Sequence, residues 1–210
     1  PRRTAPGRRI RGANLENPFS EAIDEHIQVM ECVRDLSGDV AQVASGTVET
    51  HRSGGKVVLF GNGGSACDAQ HIAAEMLGVI EDQSSKRGLL ALSLADNTAL
   101  FTAIGNDLGY EDVFARQVDA LVQEQDLVIG LSTSGTSPNV VKGLLAAKRL
   151  KARTVAMIGR GGVLEEVADI AIRVPSDSVP RIQEAHITLG HIICELAQRM
   201  LTREYMTRFT

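Results

Sequence analysis

An α/β fold, with a parallel sheet between two layers of helices, is predicted by three features of the 210-residue sequence. Short continuous apolar runs rich in strand formers, such as Val57–Phe60 and Asp126–Leu131, suit strands buried on both faces. These runs alternate with helical patterns, which places ligands at the carboxyl ends of the strands near a switch in strand order. A hydrophobic fraction of 43% over this length supports one substantial core.

The stretch 1–12, PRRTAPGRRIRG, carries five Arg with two Pro and two Gly, so residues 1–17 are expected to be a disordered basic tail, with an anion-binding arm as the functional alternative. One domain should then span 18–210. From Pro18 to Arg52 the pattern is that of two helices forming a hairpin, with Ser20 as N-cap and Glu21 and Asp24 in the first turn. Ile23, Ile27, Met30 and Val33 mark one apolar stripe and Val40, Val43, Ala44 and Val48 another. Either they pack on their own domain or they serve self-association.

The segment Lys56–Gly78, KVVLFGNGGSACDAQHIAAEMLG, reads as strand, glycine-rich turn and helix, with Ser65 as N-cap. Next come a strand at Gly88–Leu94, a helix from Asn97 to Gly105 ending before Asn106 and Asp107, and a helix at Tyr110–Val122. The strand Asp126–Leu131 leads into a second hydroxyl-rich turn, Ser132 to Ser137, with Pro138 at the first position of a helix running to Leu150. Arg153–Ile158 is a fourth strand, Gly161–Val167 a short helix, and Ala168–Val174 a fifth strand ended by Pro175. A long helix covers about 181–200.

Composition narrows the function. A net charge of −4, a pI near 5.8 and 3% aromatic residues without Trp argue against nucleic-acid binding. Cys32, Cys67 and Cys194 show no CxxC spacing, which fits reduced thiols in a cytoplasm. No apolar run has the length of a membrane span, and the basic N-terminus lacks the apolar segment of a signal peptide, so a cytoplasmic protein with no membrane association is expected.

Free backbone N–H groups and the helix dipole make the first turn an anion site. Gly61-Asn62-Gly63-Gly64-Ser65-Ala66 satisfies GxGxxA, yet Glu81 and Asp82 precede the next strand and Asp96 lies well beyond, so the ribose-binding acid of a dinucleotide fold is missing. Neither turn carries GK[ST], which removes a P-loop. Two turns dense in hydroxyl and N–H donors, without a dedicated Lys or Arg, suit one phosphate monoester on a polyhydroxylated body. His71 and Glu75, four residues apart, share a helix face and are either a solvated pair or a site for one metal or one proton.

FGNGGSACDAQHIAAEMLG, AIGNDLGYEDVFARQV, GLSTSGTSPNVVKG and RIQEAHITLGHII, in that order, resemble the sugar isomerase (SIS) domain, and within it the phosphoheptose isomerases, over about Pro18 to the C-terminus. The resemblance implies a flavodoxin-like three-layer fold and conversion of sedoheptulose 7-phosphate to D-glycero-D-manno-heptose 7-phosphate. It implies Glu75 as base and His191 as acid/base partner. Asn62, Gly63, Gly64, Ser65, Glu75, Asn106, Asp107, Ser132, Thr133, Ser134, Ser137 and Gln183 would contact substrate. Some members hold zinc, one per subunit, through positions that fall here on His71, Glu75, Gln183 and His191. His186 is a rival to His191 that only the family register sets aside. Members are homotetramers with sites between subunits.

One geometric point bears on that ligand set. Gln183 and His191 are eight residues apart on one expected helix, which separates them by ~12 Å along its axis. Both can serve one metal only if they come from different subunits or the helix is broken. The chain departs from the family at Val79, where an Arg is frequent, and at Pro180, where some members are acidic; both leave sugar specificity open. A non-catalytic SIS module and an isomerase of another ketose phosphate are the competing readings, the first disfavoured by the presence of Glu75 and His191.

Overall fold

The computed structural model describes residues 16–78 and 88–208, with side chains described for 17–78 and 88–202. Among the described residues five parallel strands form one sheet: β1 (Val57–Gly61), β2 (Ala91–Ser93), β3 (Leu127–Ser132), β4 (Arg153–Ile158) and β5 (Ile170–Arg173), in the order β2-β1-β3-β4-β5. This is the flavodoxin-like order, in which the direction of winding reverses between β1 and β3. Those strands are in register from Val57 opposite Leu127 to Gly61 opposite Leu131, so their two turns emerge side by side.

Strand alternation divides the core into two halves. Val57 and Leu59 of β1, Leu127, Ile129 and Leu131 of β3, and Val155 and Met157 of β4 face one layer of helices. That layer contains α2 (Ser37–Arg52), α3 (Gly64–Gly78) and α8 (Val179–Arg208). Val58, Phe60, Val128, Ala156 and Ile158 face the other, where α4 (Thr98–Asp107), α5 (Ala115–Leu121), α6 (Pro138–Arg149) and α7 (Val163–Val167) lie. Every residue of β1 and β3 is buried, as runs without polar alternation require of strands covered on both sides.

Several local expectations are corrected. The first helix, α1 (Glu16–Val33), begins four residues before Ser20, which therefore lies inside the helix and caps nothing. Of the expected tail, 1–15 lies outside the described residues, while Glu16 and Asn17 are helical. The hairpin between the first two helices is instead a bent continuation: a single 3-10 turn, Arg34–Leu36, joins α1 to α2, and Val33 and Ser37 on either side keep right-handed helical torsions. The chain consequently does not reverse there. The α4 helix includes Asn106 and Asp107, and Tyr110–Val122 divides into a 3-10 turn at Tyr110–Asp112 and α5. Helix α3 starts at Gly64, one residue ahead of Ser65.

Helix α8 is unbroken through 30 residues and runs parallel to α3. The direction follows from contacts: Gln183 lies over Gly64, Gly190 against Ile72, and His191 against His71. Helix α1 flanks the start of α8, where the Arg181 guanidinium donates to the Ala22 carbonyl and to Glu184 (2.7 Å), and Glu184 also meets His26 Nδ1 at 2.8 Å. All three cysteines are free thiols, Cys194 buried and Cys32 and Cys67 exposed.

Candidate active site

Two groups of residues emerge along the α3–α8 seam. The first surrounds the turns at the carboxyl ends of β1 and β3. Gly63 has φ +57°, and an added Cβ on Gly64 would lie 2.5 Å from Gln183 Nε2, so only glycine admits the Gln183 amide this close to the turn. Ser65 is buried in the first turn of α3. In the second turn the hydroxyls join one another: Ser132 Oγ lies 2.9 Å from Ser137 Oγ and 3.3 Å from Ser134 Oγ, and the Thr136 hydroxyl donates to Ser134 Oγ at 3.2 Å. The Thr133 carbonyl packs close against Gly159. Asn106 and Asp107 stand exposed at the end of α4, where Asn106 Nδ2 donates to Asp107 Oδ1 at 2.7 Å.

The second group is His71, Glu75 and His191. One donor atom from each lies within 4.8 Å of the others. His71 Nε2 and His191 Nε2 are 2.9 Å apart, and Glu75 Oε2 stands 3.3 Å from His191 Nε2 and 3.9 Å from His71 Nε2. The 3.3 Å approach has ion-pair distance without hydrogen-bond geometry, so Glu75 Oε2 is a buried oxygen with no hydrogen-bond partner. Two imidazole nitrogens and an orphaned carboxylate oxygen converging on one point are the donor chemistry of a divalent metal centre, and the residues fit one. The neighbouring Cys194 thiol is pushed up to about 12, by burial first and by the charge of Glu75 second, which keeps it a neutral thiol.

Gln183 does not join that cluster. Helix α8 is continuous, so the broken-helix route to a shared metal is closed, and ~12 Å of helix separates Gln183 from His191 within one chain. His186, the rival to His191, is wholly buried between them and its Nε2 lies 3.3 Å from the Ile158 carbonyl. A carbonyl only accepts, so Nε2 carries the proton and Nδ1 is left without a partner. His186 is a core residue.

Three residues at the site escaped the sequence reading. Asp68, one turn ahead of His71 on α3, has a buried oxygen without a hydrogen-bond partner, and burial raises its carboxyl to about 6 against the opposing effect of His71. Its spacing of three from His71 was the available signal. Tyr110 and Asn139 reach the first turn through Asn62, and no local pattern marks a pairing across 48 and 77 positions.

Known proteins resemble this chain in sequence and in fold. The SIS domain family matches residues 23–159. A phosphoheptose isomerase of Geotalea daltonii is 46% identical over 184 residues, covering 87% of this chain and 95% of that protein. The chain belongs to the SIS-domain family and, within it, to the phosphoheptose isomerases. The solved phosphoheptose isomerase of Neisseria gonorrhoeae superposes with a TM-score of 0.82 at 36% identity, over 88% of this chain and 98% of that one. The Francisella tularensis enzyme gives 0.84 at 31% identity, over 89% and 100%. Family membership makes the chain an isomerase. Among the described residues no helix is long and apolar enough to cross a membrane.

Proposed function

We propose that the protein interconverts a ketose and an aldose phosphate, sedoheptulose 7-phosphate and D-glycero-D-manno-heptose 7-phosphate, through an enediol. The observation that carries this is the convergence of a carboxylate and two imidazoles on the α3–α8 seam whose other end carries the paired donor turns, in a chain whose relatives are named phosphoheptose isomerase. Glu75 removes the proton from C1 and returns it at C2, and His191 moves protons at the sugar oxygens. Gly63, Gly64 and Ser65, with Ser132, Thr133, Ser134 and Ser137, hold the phosphate by backbone N–H groups and hydroxyls. Asn62, Asn106, Asp107 and Gln183 line the remainder of the substrate.

His71, Glu75 and His191 would hold zinc, with Gln183 of another copy as a further ligand, because one continuous α8 does not bring Gln183 and His191 of one chain to one ion. Bound zinc polarises the carbonyl and hydroxyl oxygens and stabilises negative charge as the enediol forms. This arrangement calls for a homotetramer with sites between subunits. The apolar stripe of α1 supports self-association: Phe19, Ile23 and Ile27, at successive four-residue steps, are 69%, 46% and 49% exposed. A cytoplasmic enzyme fits the free thiols.

The test is turnover of sedoheptulose 7-phosphate by the wild type, before and after chelation and zinc restoration, beside Glu75→Gln and His191→Ala. Each variant should lose on the order of 10²–10⁴ in kcat, the usual share of acid–base catalysis. Absence of turnover by metal-replete protein, or full activity of Glu75→Gln, would overturn the reading.

A further inference from the structure

The side chain of Asn62, expected at the substrate, is already occupied. Its Nδ2 donates to Asn139 Oδ1 at 2.9 Å, and its Oδ1 accepts from Asn139 Nδ2 at 2.8 Å and from the Tyr110 hydroxyl at 2.9 Å. Asn139 Oδ1 accepts in addition the N–H of Val140 at 3.0 Å, which fixes the amide at the start of α6. Both lone pairs of Asn62 Oδ1 are used, so that oxygen has no capacity left for a sugar hydroxyl. Asn139 is only 2% exposed, so its amide is costly to leave unpaired when the half-buried reciprocal pair is broken on the Asn62 side.

The partners come from three segments that the fold brings together: the turn after β1, the 3-10 turn after α4, and the first turn of α6. Tyr110 is itself propped from the core. Its ring lies edge-on to Phe101 at 5.8 Å, Phe101 contacts Phe114 at 5.7 Å, and Phe114 stacks on Phe60 of β1 at 4.9 Å. Four of the seven aromatic residues of the chain, Tyr110 included, are thus joined by successive ring contacts back to β1.

We propose that Asn139 and Tyr110 are positioning residues: acting through the Asn62 side chain, they tie the glycine turn after β1 to the hydroxyl turn before α6, so that both sets of donors face one phosphate in fixed register. Asn62 then serves the substrate through its backbone and one remaining amide hydrogen. The inference rests on the phosphate-binding part of the proposed function and is independent of which sugar bears the phosphate. Separating the turns weakens phosphate capture more than proton transfer, because Glu75 and His191 lie further along α3 and α8.

The experiment measures the Kd for inorganic phosphate by titration calorimetry, and KM and kcat with sedoheptulose 7-phosphate, for wild type, Tyr110→Phe, Asn139→Asp and the pair Asn62→Ala with Asn139→Ala. Tyr110→Phe removes one hydrogen bond and should weaken phosphate binding and raise KM about threefold to tenfold. Asn139→Asp sets a carboxylate oxygen against Asn62 Oδ1 and should exceed tenfold. KM should rise more than kcat falls, and in phosphate Kd Asn62→Ala should add little on top of Asn139→Ala, since both break the same link. Unchanged phosphate Kd and KM in Tyr110→Phe and Asn139→Asp, additive losses in the pair, or a wild type that does not bind phosphate would overturn the proposal. Should Asn139→Asp fail to fold, Tyr110→Phe carries the test, because it deletes one hydroxyl from a side chain that is 55% exposed. Expected shifts in phosphate Kd, with no turnover of the heptulose phosphate, would support the positioning role while refuting the substrate.

Discussion

Gly190→Ala sets two known effects against each other at the seam that builds the candidate metal centre. A methyl placed on Gly190 would lie 2.5 Å from both Cδ1 and Cγ1 of Ile72, against a comfortable carbon–carbon separation of roughly 3.5–4.0 Å. Ile72 is 2% exposed and β-branched, so it has neither space nor a ready alternative rotamer. Replacing an interior helix glycine by alanine contributes about 1 kcal/mol in helix propensity, whereas overpacking a filled contact costs about 1–3 kcal/mol. Strain wins, and the variant should be destabilised by about 1 kcal/mol in urea unfolding. Relief comes by parting α3 from α8. His191 follows Gly190 and His71 precedes Ile72, so the parting falls on the 2.9 Å gap between their Nε2 atoms. Misplacement of roughly 1 Å at reacting groups can cost about a hundredfold, so kcat should fall on the order of 10–100-fold. A variant about 1 kcal/mol more stable than wild type with unchanged kcat would show that propensity alone governs this position, and would refute the argument that this contact sets the site.

Acid stability offers a second measurement. Burial, the dominant cause, lowers His186 from 6.5 to about 4 in the folded protein, so the unfolded chain binds the extra proton between those values. Its stabilising contribution is complete above pH 6.5 and is lost as pH falls towards 4, about 3 kcal/mol in full. Asp68 works in the opposite sense: raised to about 6, it favours the folded state at low pH and loses that contribution as pH rises from 3.8 through 6. Urea unfolding of His186→Gln beside wild type across this range separates the two, because Asp68 is common to both; the stability difference should shift by most of that amount between pH 7 and 4, and a flat difference would refute it. Gly135→Ala should abolish phosphate capture and destabilise the fold by at least about 2 kcal/mol, since left-handed strain adds to a clash. Gly135 has φ +67°, and its Cβ would meet the Gly161 carbonyl oxygen at 2.1 Å, a backbone atom that cannot swing aside. Near-wild-type melting and phosphate affinity would contradict this.

By itself the sequence determined the succession of elements, the two donor turns and the pairing of His71 with Glu75. These follow from periodicity and from glycine, proline and hydroxyl chemistry acting within a few residues, which every chain expresses locally. Element ends were less legible. The structure carries α1 back to Glu16 and α4 through Asp107, past Ser20 and the Asn97–Gly105 boundary, because a residue suited to capping biases a helix end without fixing it. Family resemblance supplied His191, which spacing alone could not choose over His186.

Long-range packing set the strand order, the parallel seating of α8 on α3, and the separation of Gln183 at the turn from His191 at the cluster. It also closed the Asn62–Asn139–Tyr110 link. The His71–His191 approach and the Asn62 link join residues 48 to 120 positions apart. Such contacts are selected by how whole faces fill the space around the sheet, which no local spacing records.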